Sequence, residues 1–262
     1  MCIATFSQLA HDTITGRLRD QNQWFELDQV RKTGWEGDRG GPLAKQFASG
    51  MVTLLTWNAA KQLGGPTEGI VTSERDKWFV LLDFLSQLKI DICALQEVGT
   101  GGSKGDEARI RSVLQAWCRS RRTDARIWLA GAAGWLRDKD IRRQGGAPSG
   151  LATIAFGQWS RRGIATRRWA DGRGLWVEFH EGAQRLALGN VYGPQHRETA
   201  AIAPWLEAIS KERAEAQARG CTTAVLGDFN GRRSSFDAET GAAPPSLDVA
   251  TWMQAEDILD LW

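Results

Sequence analysis

What most limits the folds open to this chain is the order in which its hydrophobic periodicities change. The run Val52 to Asn58 reads as a buried strand, and Ser73 to Leu88 reads as an amphipathic helix with Trp78, Leu81, Leu82, Leu85 and Leu88 on one face. Ser73 and Asp76 resemble a capping box for that helix. A second apolar strand, Ile90 to Gln96, leads into the Gly-rich loop Gly99 to Gly105. Ile110, Val113, Leu114 and Trp117 then mark a second helix. The middle is all strand: Ile127 to Gly131, Leu151 to Phe156, Ile164 to Trp169, Leu175 to Phe179 and Leu186 to Val191, separated by Gly or Arg-Arg turns. A helix starting near Pro204, taken as a first-turn residue, runs to a stop at Gly220, and Thr222 to Leu226 returns as a strand. Helices and strands that alternate at both ends around an all-strand centre favour an α/β layered fold with mixed sheets.

With 262 residues and 42% hydrophobic content, the chain can build one large core or two small ones. Residues 1 to 50 are polar, show no sustained period and end in the turn-rich stretch Gly34 to Pro42. They read as an N-terminal extension, and 51 to 262 as the domain. Cys2, Cys93, Cys118 and Cys221 are far apart with no C-x-x-C pair, which points to a reducing compartment. The N-terminus lacks a basic stretch followed by an apolar core, and no apolar segment approaches the roughly 20 residues that cross a bilayer. An intracellular protein without a membrane partner is expected.

The net charge of +2 predicts no partner, but its distribution is uneven. Between Lys104 and Trp176 there are 16 Lys or Arg against 6 Asp or Glu. Arginine dominates there (Arg119, Arg121, Arg122, Arg126, Arg142, Arg143, Arg161, Arg162, Arg167 and Arg168), and clustered guanidinium groups suit phosphate backbones. A set of solvated faces is the plainer alternative. Trp135 and Trp159 lie in this basic region, where stacking on single-stranded bases is conceivable.

Four strand ends finish in polar clusters: Trp57-Asn58, Gln96-Glu97, Asn190 through Pro194, and Gly227-Asp228-Phe229-Asn230. Carboxylates and carboxamides placed just beyond apolar strands project from a rigid frame into a shared cleft, as a hard-metal site and a positioned water require. Oxygen ligands suit magnesium or manganese, whereas zinc would want His or Cys. Singly, each cluster is an ordinary cap or turn. Their ordered occurrence is the stronger signal.

In that order, L-L-T-W-N-A, D-I-C-A-L-Q-E-V, L-G-N-V-Y-G-P and A-V-L-G-D-F-N resemble the motifs of the endonuclease/exonuclease/phosphatase superfamily, over about Val52 to Asn230. G-L-A-T-I-A-F, at Gly150 to Phe156, falls where that family has a central sheet strand. Abasic-site endonucleases and the endonuclease domains of non-LTR retrotransposons look nearest, with pancreatic-type deoxyribonuclease more distant. The resemblance implies a four-layer α/β sandwich of two packed mixed sheets flanked by helices, with the active site at one rim. It further implies that Glu97 binds magnesium, with manganese as an alternative, and that Asn58 sits beside it as a metal-shell or orienting residue. Asp228 would hold or activate the attacking water, Asn230 would orient Asp228 and the phosphate, and Tyr192 would stabilise developing charge. Gln195, Arg142 and Arg143 are the substrate-binding candidates.

Three departures matter. Ala60 stands where abasic endonucleases carry an Asp, and Gln195 where many nucleases have Asn after Y-x-P. The family's late Asp-His pair has no counterpart, because His11, His180 and His196 all precede Asn230, so a domain lacking its last strands is expected. His196, four residues beyond Tyr192, reads as a surface residue and is left out of the site. The Gly99 to Gly105 loop does not match a nucleotide-triphosphate cradle.

The reading that results is a metal-dependent phosphodiesterase, an endonuclease acting on DNA. It could belong to a longer polyprotein with a reverse transcriptase, nuclear if derived from a retrotransposon. A phosphatase of small lipid-headgroup esters on the same fold is the second reading, and a degenerate nucleic-acid-binding fragment is the third.

Overall fold

A computed structural model describes residues 2–5, 52–59, 63, 76–99, 104–131, 150–181, 183–194, 198–230 and 247–256; residues 2–5, 104–106, 199, 247, 248 and 250 are described by backbone alone. In chain order the strands are β1 (Cys2–Thr5), β2 (Thr53–Asn58), β3 (Ile92–Gln96), β4 (Ala125–Ala130), β5 (Leu151–Phe156), β6 (Gly163–Arg168), β7 (Gly174–Glu181), β8 (Gln184–Tyr192) and β9 (Thr222–Asp228). The helices are α1 (Lys77–Gln87), α2 (Lys104–Arg121), α3 (Trp159–Arg162), α4 (Thr199–Ala218) and α5 (Leu247–Ala255). The first sheet has the order β1-β2-β3-β5-β4 and the second β6-β7-β8-β9. Both are mixed, since β2 and β3 are parallel, as are β8 and β9, while β5 and β7 run antiparallel to their neighbours.

The two-residue alternation of strand side chains sorts the core into three layers. Leu55, Trp57, Cys93 and Leu95 face outward from the first sheet and pack under α1 and α2 against Trp78, Leu82, Ile110 and Trp117. Leu54, Ile92 and Ala94 face the other way, meeting Leu175, Val177, Phe179, Leu188 and Leu226 of the second sheet. On that sheet's far side Trp176 and Val191 pack with Trp205, Leu206 and Ile209 of α4, joined by Trp252 of α5. The result is the expected four-layer sandwich, helices outside and two sheets within.

Several local readings are corrected. Asp76 is itself the N-cap of α1, accepting from the Trp78 N–H at 2.9 Å, so the helix starts later than Ser73. Pro204 lies inside α4, five residues after its start, where it forgoes a hydrogen bond to the Ala200 carbonyl instead of occupying the partnerless first turn. The Gly99 to Gly105 loop ends early, because α2 begins at Lys104. Of the segment read as an extension, Cys2–Thr5 adds a parallel strand beside β2. The short helix α3 takes the place of an expected turn. It carries Trp159 into the layer between the sheets, 6.0 Å from the Phe179 ring and 94% buried, so this tryptophan is core and not a base-stacking platform. Trp135 lies outside the described residues.

Candidate active site

Each sheet contributes one parallel pair whose strands end together. Asn58 lies level with Gln96 across β2 and β3, and Tyr192 lies level with Asp228 across β8 and β9. The carboxyl ends of parallel strands are where an open sheet presents side chains to a ligand. Here two such ends face each other. Asn58, Tyr192 and Asp228 continue the inward-facing alternation of Leu54, Leu188 and Leu226. Glu97 would by the same alternation follow Leu95 toward the helices. Its backbone instead turns into the left-handed region, φ 48°, which ends the strand and lets the carboxylate join the inward group. A non-glycine residue held there is a local strain that the surrounding contacts must maintain.

The four side chains form one hydrogen-bonded cluster. The Asn58 amide nitrogen donates to Glu97 Oε1 at 3.1 Å and to Asp228 Oδ2 at 2.7 Å. Tyr192 donates its hydroxyl proton to the same Glu97 Oε1 at 2.8 Å. Asp228 accepts the Asn230 backbone N–H on Oδ1 at 2.8 Å, the Asx turn expected of this motif, and Asn230 is also left-handed, φ 49°. The Asn230 side chain reaches across to donate to the Gly193 carbonyl at 2.8 Å, while the Gly193 N–H donates to the Asp228 carbonyl at 2.7 Å. Glycine is required at 193, since a Cβ there would come within 2.2 Å of the Phe229 carbonyl oxygen. Asn58, Glu97, Tyr192, Asp228 and Asn230 are thus brought together from segments spread over most of the domain.

Beneath the cluster lies a second, fully buried polar layer. Gln96 and Asn190, both read as polar strand ends, join the two sheets, with Gln96 Nε2 donating to Asn190 Oδ1 at 2.8 Å. Asn190 Nδ2 donates to the carbonyls of Leu95 at 3.1 Å and Ala152 at 2.9 Å. Gln96 also meets the Thr56 hydroxyl at 3.2 Å. Buried amides are tolerated only when so satisfied. This network sits one residue from Glu97 and two from Tyr192, where it fixes how the sheets meet.

Gln195, Arg142 and Arg143 lie outside the described residues, as does His196. The strands that bracket Arg142 and Arg143 in sequence reach the site end of the first sheet, Ala130 pairing with Leu151 and Leu151 with Gln96. Most of the remaining basic middle is engaged elsewhere. Arg121 forks onto Asp83 at 2.7 Å, Arg161 pairs with Asp124, Arg162 with Glu181 at 2.6 Å, and Arg167 with Glu212 and Glu215. Arg126 lies over the Trp128 ring at 5.0 Å. Arg121, Arg126, Arg161 and Arg162 stand beside the Ala125 and Phe156 ends of β4 and β5, next to the start of β3 and so opposite Glu97. For these four the charge run is structural pairing and not a phosphate grip. Sequence reasoning missed Arg173 and Glu198, a buried arginine and a partly exposed glutamate whose ion pair supports Gly193.

Among the described residues no three His, Cys, Asp or Glu side chains gather into a metal cage. A magnesium site does not need one, because one or two carboxylates suffice when water and substrate phosphate complete the shell. Glu97 and Asp228 supply hard carboxylate oxygens on either side of the Asn58 carboxamide, so the residues present fit such an ion.

The sequence matches no family model and no curated protein. Solved structures do match. An AP endonuclease from Leishmania major is similar at 12% identity with a TM-score of 0.55, covering 96% of this chain and 77% of its own. An AP endonuclease from Archaeoglobus fulgidus matches at 14% identity and TM-score 0.48 over 79% of this chain and 70% of its own. An endonuclease/exonuclease/phosphatase family protein from Leptotrichia buccalis matches at 14% and 0.46 over 68% and 66%. With the layer order and the first of these likenesses agreeing, this chain has the fold of that AP endonuclease, two mixed sheets packed face to face between helices.

Proposed function

We propose that the chain is a divalent-metal-dependent phosphodiesterase that hydrolyses the backbone of nucleic acid, DNA in the first instance. The observation that carries this reading is the joining of Glu97, Asn58, Tyr192 and Asp228 into one cluster where the two sheets open together. Glu97 would hold magnesium or manganese with the Asn58 carboxamide beside it. When bound, the ion supplies Lewis-acid stabilisation of phosphoryl and leaving oxygens.

The protein's own groups perform the remaining work. Asp228 is an acceptor held by two donors, Asn58 and the Asn230 N–H, and an acceptor so fixed can align a water for attack on phosphorus. Tyr192 donates its hydroxyl proton to Glu97 Oε1 beside the proposed metal-holding group, and would turn that O–H toward a phosphoryl oxygen as charge grows there once Glu97 is taken up by the ion. Both carboxylates share the Asn58 amide, which keeps acceptor and metal-holding group at a fixed separation.

The test is nicking of supercoiled plasmid by the purified chain with magnesium, beside EDTA and Glu97→Ala controls. Nicking lost in both controls supports the reading. A folded protein without Glu97-dependent cleavage overturns it, and release of phosphate from a lipid headgroup ester under the same conditions would move the site to that substrate class.

A further inference from the structure

Arg173 lies in the turn Gly172-Arg173-Gly174 just before β7, and its side chain is only 7% exposed. A buried guanidinium is costly unless every direction it faces is answered. Here the answers come from the catalytic strand and the helix after it. Arg173 Nη1 donates to the Gly193 carbonyl at 2.8 Å, and Nη2 donates to both Glu198 carboxylate oxygens, at 3.1 and 2.9 Å. The backbone takes part as well, the Arg173 carbonyl accepting the Tyr192 N–H at 2.9 Å. An Asx turn from Asp171 to the Arg173 N–H at 2.9 Å fixes the turn itself.

One residue therefore holds Tyr192 by its main chain, Gly193 by its side chain, and Glu198 at the far end of the connection between β8 and α4. Gly193 is the junction of the site. Its carbonyl also accepts from Asn230, and its N–H bonds the Asp228 carbonyl. We propose that Arg173, braced by Glu198, is a positioning residue for the candidate active site, setting the attitude of the Tyr192-Gly193 segment and through it Asp228 and Asn230. This rests on the function proposed above and extends it to a residue that touches none of the reacting groups.

The chain contains a single tyrosine, so selective ¹³Cζ-tyrosine labelling reports Tyr192 alone. The experiment measures that resonance and plasmid-nicking kinetics for wild type, Arg173→Lys, Arg173→Met and Glu198→Gln, with Arg161→Met, at the opposite end of the sheet, as control. Displacement of reacting groups by about 1 Å can cost 10²-fold, so Arg173→Met should lower kcat about ten- to a hundredfold with KM for DNA little changed. Glu198→Gln keeps one acceptor for the guanidinium and should lie between it and wild type. Arg173→Lys should recover only part of the loss, since an ammonium lacks the fork that serves two acceptors. The Tyr192 resonance should move in the Arg173→Met and Glu198→Gln proteins and stay in place in Arg161→Met. If Arg173→Met does not fold, Glu198→Gln decides. An unmoved resonance with unchanged kcat in that variant overturns the proposal. A wild type that never cleaves DNA overturns the function instead, and the resonance then decides alone whether Arg173 positions Tyr192.

Discussion

The Asn58 carboxamide and the Asp228 carboxylate, 170 residues apart in sequence and carried by different sheets, meet at 2.7 Å. The same amide nitrogen serves Glu97, so one neutral donor stands between two acids that would otherwise repel. Replacing Asn58 with the near-isosteric Leu removes the donor and leaves both carboxylates to reorient. Metal-dependent nicking should fall by about 10²- to 10³-fold, the usual cost of losing one preorganised polar group in an active site. Nicking kinetics with a circular-dichroism check of folding measure it, and near wild-type turnover would remove Asn58 from the site.

Asn190 bears a different burden. It is completely buried, and its amide holds the Leu95 and Ala152 carbonyls and the Gln96 side chain at the junction of the sheets. Asn190→Leu strands those partners, at a cost of about 2 to 4 kcal/mol if two of them go unsatisfied. Pairing it with Gln96→Met should cost less than the sum of the single losses, because both changes remove the same Gln96–Asn190 hydrogen bond. Denaturant titration of the four proteins gives the answer, and simple additivity would show that the two amides do not act as a unit.

Gly193→Ala tests the close approach of the β8 and β9 ends. The new Cβ would lie 2.2 Å from the Phe229 carbonyl, a backbone atom that cannot rotate away, so the Asp228 to Asn230 turn must shift. Activity should drop by about 10²-fold with a stability loss of only about 1 to 3 kcal/mol. An active Gly193→Ala enzyme would mean that this turn tolerates displacement.

How much of this was legible beforehand follows from the range of each interaction. The polar residue that ends an apolar strand is a local feature, so the clusters that hold Asn58, Glu97, Tyr192, Asp228 and Asn230 could be picked out in order. A layered α/β fold with mixed sheets followed from the alternation of helices and strands, while the four-layer sandwich and the choice of these five side chains came from the family resemblance. Arg173 could not be picked out. It sits between two glycines that read as an ordinary turn, and its partners Gly193 and Glu198 are 20 and 25 residues away. Arginine clustering in sequence likewise suggested a polyanion surface, whereas Arg121 and Arg161 find carboxylates 38 and 37 residues distant, pairings that composition does not reveal. A signal for Arg173 does exist in retrospect. An Arg flanked by glycines directly before a wholly apolar strand start has its side chain close to the core, and a buried guanidinium demands partners.

The far end of the sheet gives a prediction about pH that is independent of catalysis. Asp91 precedes β3, where its carboxylate accepts the Thr53 N–H at 2.8 Å. Burial raises its pKa above the ordinary carboxylate range, only partly countered by that N–H and by the charge of Arg162. For an acid the sign is plain: with the folded pKa above the unfolded one, the folded state binds the proton more tightly, so Asp91's contribution is largest at low pH and declines as pH rises through the window between the two values. Asn at this position can still accept from Thr53 and never titrates. Asp91→Asn should therefore match wild type below the carboxylate range and become the more stable protein as pH rises to neutrality, with most of the divergence developing across that window. Thermal unfolding of both proteins across this pH range measures the difference, and a variant less stable than wild type at neutral pH would show that the charged form of Asp91 is held favourably by Arg162 and Thr53 after all.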